Sequence, residues 1–255
     1  MKYNPLLIGS LIFVTLAPIA GYTLLVRNSV KPKTIESASS ASTSTEEQPA
    51  FSLLDRIGNF RPNQDLQANH RCVGCDFSGT NFSDRDLSRV NLGQANLQHV
   101  DFSNTQLVNA ILSDSQLEAA TLVESNATGA DFKGANLSNA DLTRSQLMHV
   151  DLVQATLDEA TMASVELREA ALSEASLRNT DLSNASLYGA ILRETNLAGA
   201  NLQNADLRYT DLTDATFTGA NLDGVLWEGA ILPNGSNYSG ADDILLLSGD
   251  GEPEE

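Results

Sequence analysis

Residues 195–212 read TNLAGANLQNADLRYTDL. Leu197, Leu202, Leu207 and Leu212 fall at every fifth place, Asn or Asp precedes each of them, and Thr or Ala stands two positions before. The same beat runs outward in both directions, from Phe77 to Leu232. Its 32 large positions hold 24 Leu, five Phe, Met162, Trp227 and Ala127, and the position two before is Ala in 17 units and Val, Thr, Ser or Cys in all others except Arg85.

A period of five fits neither an α-helix nor a strand. Five residues turn an α-helix by about 500°, roughly 140° past a full turn, so the leucines would spiral around the helix and half would face water. A disordered tract has no need of a large side chain at every fifth place. What remains is a repeat that buries its large residues by stacking on its neighbours.

The units Ala95–His99 (ANLQH), Ala140–Arg144 (ADLTR) and Ala205–Tyr209 (ADLRY) resemble the pentapeptide-repeat family, whose pattern is A-(D/N)-L-x-x. The resemblance covers residues 75–233, and the opening CVGCDF (72–77) and exit AILPNG (230–235) are similar to family ends. It implies an all-β fold: a right-handed quadrilateral β-helix of about eight coils, four units to a coil. Ala95 and Leu97 then point inward, Asn96 edges the turn, and Gln98 and His99 face out. Backbones stacked about 4.8 Å apart make eight coils about 38 Å long.

The expected organisation is an apolar helical segment with a basic flank at 1–33, a Ser/Thr-rich linker at 34–48, an amino-terminal cap at 49–74, the repeat at 75–232, and a turn, short cap and acidic tail at 233–255. The stretch from Pro5 to Val26 carries no charge, and its 22 residues suffice to cross a hydrocarbon core of about 30 Å. An uncleaved membrane anchor is the leading reading, with a cleaved export signal and a buried helix as alternatives. The expected location is therefore membrane-anchored, with the repeat outside the cytoplasm in a periplasm or equivalent lumen. An exported soluble protein and a cytoplasmic-facing domain stay open. In the cap, Phe51, Leu54 and Ile57 share one face of a short helix.

The formal net charge of -18 argues against direct binding of nucleic acid, whose phosphates call for Lys and Arg. Asp occupies the place before the large residue in nine of the 32 units, where a short carboxylate accepts backbone hydrogens at a corner. Thirteen other acids in the repeat need a surface explanation. Glu174, Glu194 and Asp214 stack on one face at twenty-residue spacing, whereas Arg89, Arg168 and Arg208 share another.

Cys72 and Cys75 are the only cysteines. By register both point inward, so buried thiols lead, with a local disulfide or metal and redox chemistry involving His70 as alternatives. Arg85 breaks the small-residue rule and is expected either to pair with Asp65 one coil above or to bend out to solvent. Ala127 leaves less volume than Leu107 and Leu147 in its column, which predicts a drawn-in wall or a small cavity. No Ser-His-acid set, phosphate loop or metal motif appears, and a filled repeat offers no pocket. The sequence therefore reads as a non-enzymatic scaffold or interaction module without cofactors or catalytic residues. Its expected contacts are an unidentified protein partner, the membrane through residues 5–26, and a homo-oligomer left open. The alternative implied by the resemblance is an inhibitor that mimics DNA towards a type II topoisomerase; an enzyme with a site in a cap is the remote third.

Overall fold

The computed structural model describes residues 70–240 and Asp243. In each unit the residue before the large side chain makes one parallel bridge to its counterpart twenty positions on, as Asn96 does to Gln116 and Asp181 to Asn201. Four units thus complete one coil. The bridges align in four columns, named here by their first large residues: Phe77, Phe82, Leu87 and Leu92.

The backbone donors of a unit explain its composition. In the unit centred on Leu97, Asn96 N–H bonds to Cys75 O in the coil above, while Leu97 and His99 N–H bond to Gln116 and Glu118 O in the coil below. Val100 N–H closes the turn onto Leu97 O. Only the Gln98 N–H lacks a main-chain acceptor, and Asn96 Oδ1 takes it at 3.3 Å. The same bond recurs in other units where Asp or Asn precedes the large residue, as from Thr143 to Asp141 at 3.0 Å and from Arg208 to Asp206 at 3.1 Å. A buried or half-buried N–H left unpaired costs about 1–3 kcal/mol, which accounts for the preference.

The second residue after each large one has a left-handed backbone, with φ between 53° and 73° at all 31 such positions from Gly79 to Gly229. This is the third residue of a four-residue turn, where type II geometry requires positive φ. At Gly199 a Cβ would meet only Oδ1 of Asn179, its column neighbour above, a side-chain end that can turn aside, and Asn139, Glu159 and Asn179 stack at the same position without glycine.

The interior is a continuous column of Leu flanked by Ala, with Leu97, Leu117, Leu137 and Leu157 all fully buried. Buried hydroxyls at the small positions bond to backbone carbonyls: Thr105 to Phe82 O, Thr180 to Leu157 O and Thr195 to Leu172 O, each at 2.8 Å. Aromatic rings concentrate at the two ends. Phe77, Phe82 and Phe102 pack at one, with centroids 5.3 and 5.6 Å apart. At the other, Phe217, Trp227 and Tyr238 form a chain with centroids 6.1 and 6.2 Å apart. Tyr238 reaches Trp227 because the chain reverses after Leu232: Ile231 pairs antiparallel with Asn237, and Tyr238 N–H bonds to Ala230 O.

The expected all-β class with a helical cap is corrected. The bridges are isolated single residues, so the described residues contain no extended strand and no assembled sheet. The left-handed residue in every unit bends the chain before a second consecutive pair can form. Asp243 is the one helical position described, and the cap helix expected around residues 51–57 lies outside the described residues, as do the linker at 34–48 and most of the carboxy-terminal segment. The membrane expectations are also corrected. Among the described residues no helix is long and apolar enough to cross a membrane, since a left-handed residue at every fifth place stops helix growth. The expected contact through residues 5–26 lies outside the described residues, and neither membrane anchoring nor a location beyond the cytoplasm is retained.

Candidate interaction surface

Side chains on the bridge residue and the two turn residues face outward, so every column presents a strip of them. Residues 72–232 contain 22 Asp and Glu against eight Lys and Arg, a net of -14. The Phe82 and Leu92 columns, on opposite sides, carry -5 each; the Phe77 column carries -3 and the Leu87 column -1. Acidity is thus concentrated on two faces, and the Leu87 face is close to neutral.

On the Leu92 face Glu174, Glu194 and Asp214 occupy successive coils at exposed turn positions. Gln154 Nε2 donates to Glu174 at 2.9 Å, which extends the ridge one coil upward with an amide. Beside it, burial works to raise the Asp211 carboxyl, but bonds from the Thr213 hydroxyl and amide, with Arg193 at 3.8 Å, hold it below its ordinary value. Asp86 is likewise lowered, by the hydroxyl and amide of Ser88. Both carboxyls therefore stay charged at neutral pH.

The Leu87 face carries a different chemistry. Arg168, Tyr188 and Arg208 succeed one another at twenty-residue spacing and, with Ser186 and Asp206, line an open recess of about 220 Å³. Arg208 donates to both Asp206 oxygens, Nε at 2.9 Å and Nη2 at 2.8 Å. That bidentate bond holds the Asp206 carboxyl below its ordinary value and raises Arg208. The Arg208 guanidinium lies 5.7 Å from the Tyr188 ring centroid, and Tyr209 packs against Tyr188 at 5.2 Å. Arg168 has no ion-pair partner among the described residues.

Several singled-out residues fall elsewhere. Cys72 and Cys75 form a disulfide, with Cα atoms 5.5 Å apart, so the reading as free buried thiols is corrected; the turn places the two side chains face to face. Arg85 is exposed and lies over the Phe82 ring at 5.8 Å, and Asp65 is outside the described residues. Around Ala127 the wall keeps its spacing, with Leu107, Ala127 and Leu147 donating to the coil below at 2.7, 2.8 and 2.8 Å. In the same unit the buried Ser125 hydroxyl has no hydrogen-bond partner among the described residues. His149 lies 3.4 Å from Glu169 on the surface. No group of three or more His, Cys, Asp or Glu among the described residues is arranged to hold a metal.

The Arg168–Tyr188–Arg208 recess is not legible as a site from sequence. Arg168 and Arg208 stand out there only as two of the arginines that share a face, and Tyr188 carries no signal alone. The one available clue is the twenty-residue spacing of all three.

A family model described as Pentapeptide repeats matches in eight copies, over overlapping spans that run from residue 75 to 242. No curated protein matches the chain. Among solved structures, it is similar to HetL, a pentapeptide repeat protein involved in heterocyst differentiation regulation from the cyanobacterium Nostoc sp. strain PCC 7120, at 26% identity, covering 69% of this chain and 97% of that one, with a TM-score of 0.30. It is also similar to a trypsin-treated variant of QnrB1, a plasmid-mediated fluoroquinolone resistance protein, at 16% identity, covering 64% and 90%, with a TM-score of 0.52. A pentapeptide repeat protein from the Arabidopsis thaliana thylakoid lumen matches at 27% identity over 42% of this chain and 61% of its own, with a TM-score of 0.26.

Proposed function

Since the chain belongs to the pentapeptide-repeat family, whose members are non-catalytic scaffolds, we propose that it is an acidic protein-binding module that occupies a DNA-binding surface of its partner. The observation that carries this reading is the charge on the Phe82 and Leu92 faces, -5 each, displayed on a stack of fixed spacing. A backbone stack of fixed spacing loses little main-chain entropy on binding, so its charged positions are presented to a basic surface already in register. Over about 38 Å duplex DNA carries roughly 22 phosphate charges, so the repeat supplies the same sign at a lower density.

Among proteins with such a surface, type II topoisomerases are the partner that the family resemblance implies. The near-neutral Leu87 face limits the mimicry to part of the circumference, which suits a groove better than a closed ring.

The test is a supercoiling assay with a bacterial type II topoisomerase and micromolar full-length protein. Inhibition that grows with concentration and weakens with added salt is expected. Full supercoiling at every concentration would remove the topoisomerase from the reading.

A further inference from the structure

We propose that the recess between Arg168, Tyr188 and Arg208 is a separate recognition site for a single carboxylate side chain carried on an otherwise basic or neutral segment of a protein partner. Three observations point to this chemistry. The Arg168 guanidinium is exposed and lacks an ion-pair partner among the described residues, so it is open to an anion arriving from solution. Arg208 is held by two bonds to Asp206 and by the Tyr188 ring, so one wall of the recess is fixed before any ligand arrives. The recess also holds the half-buried Ser186, which adds a hydroxyl to the guanidinium donors.

Its shape selects the kind of ligand. At about 220 Å³ and open to solvent, the recess admits a side-chain terminus projecting from a larger molecule and does not enclose a free metabolite. Its sign selects the group: Asp206 neutralises Arg208, which leaves Arg168 as the net charge, and one planar guanidinium beside an aromatic platform suits a single carboxylate. The Phe82 and Leu92 faces, at -5 each, repel any segment that is acidic throughout. Only an isolated acid flanked by cationic or neutral residues satisfies both conditions. Tyr and Arg are moreover the residues that most often dominate protein interfaces.

The site stands independently of the proposal that the acidic faces occupy a DNA-binding surface, and its test involves no topoisomerase. Full-length protein is titrated with acetyl-Lys-Glu-Lys-amide, with the Gln counterpart, and with inorganic phosphate, following the Arg168 Nε–Hε and Tyr188 ring signals by NMR. The Glu peptide is expected to shift both signals saturably, with the Gln peptide weaker by about tenfold or more. Arg168→Gln, a change at an exposed position, should abolish the Tyr188 response and leave the core methyl signals in place. Equal responses to the Glu and Gln peptides, or a full Tyr188 response from the Arg168→Gln variant, would overturn the site. Phosphate shifting the same signals as strongly as the Glu peptide would overturn its assignment to a protein side chain.

Discussion

Leu142 sits at the middle of the stack with 1% of its surface exposed, and its backbone N–H bonds to Thr161 O at 2.7 Å. Leu142→Ala should cost about 2–5 kcal/mol in a denaturation series, and Leu142→Asp should prevent folding because it also buries an unpaired charge. Asp141, its neighbour, accepts the Thr143 N–H at 3.0 Å. Asp141→Ala should cost about 1 kcal/mol while Asp141→Asn keeps the bond and most of the stability, since an amide oxygen accepts as a carboxylate does. At the left-handed Asn184, φ 57°, a valine should cost roughly 1–2 kcal/mol and a glycine almost nothing. Ser125→Ala should raise the melting temperature by removing a buried hydroxyl with no partner; a fall would show that the hydroxyl is bonded in solution.

These residue rules determine how much of each unit is readable. The large position and the small one two before it are both legible from sequence, because burial there is chemically one-sided. The expectation of strands fails for a reason visible in the turn residues. Between Gly79 and Gly229 none of the 31 left-handed positions holds Val, Ile or Thr, residues that resist positive φ. That avoidance is present in the sequence and argues for isolated bridges over strands. The disulfide is harder to read, because the spacing of Cys72 and Cys75 suits a thiol pair equally well. At the scale of one element, that disulfide spans a single turn and should contribute about 2 kcal/mol to the first coil by chain entropy. The Cys72→Ser/Cys75→Ser variant should lose hydrogen-exchange protection near residues 72–90 while the centre keeps its own, as expected for units stabilised by neighbours. Uniform loss along the stack would contradict that locality.

The whole molecule responds to pH and salt through its surface acids. Asp206 and Asp211 have carboxyls held below the ordinary carboxylate value, the first chiefly by its bond from Arg208 and the second, against burial, by Thr213 and Arg193. A lowered folded value means that their stabilisation is complete above the unfolded value and is lost as pH falls through the folded one. Melting temperature should therefore decline below about pH 4, and Asp206→Asn should flatten part of the decline. Partner binding belongs to the same scale. Carboxylates on the Phe82 and Leu92 faces act together, so neutralising one acid should matter little, whereas neutralising the Glu174, Glu194 and Asp214 ridge should matter much more. Added salt should weaken binding through screening.

The most direct test of the acidic-ligand account is displacement of a labelled DNA duplex from a type II topoisomerase, followed by fluorescence anisotropy as full-length protein is added. The account predicts that micromolar protein releases the duplex and that the triple variant Glu174→Gln, Glu194→Gln, Asp214→Asn is weaker by about tenfold or more. A duplex that stays bound throughout, or a triple variant that displaces it as well as the unaltered protein, would contradict it.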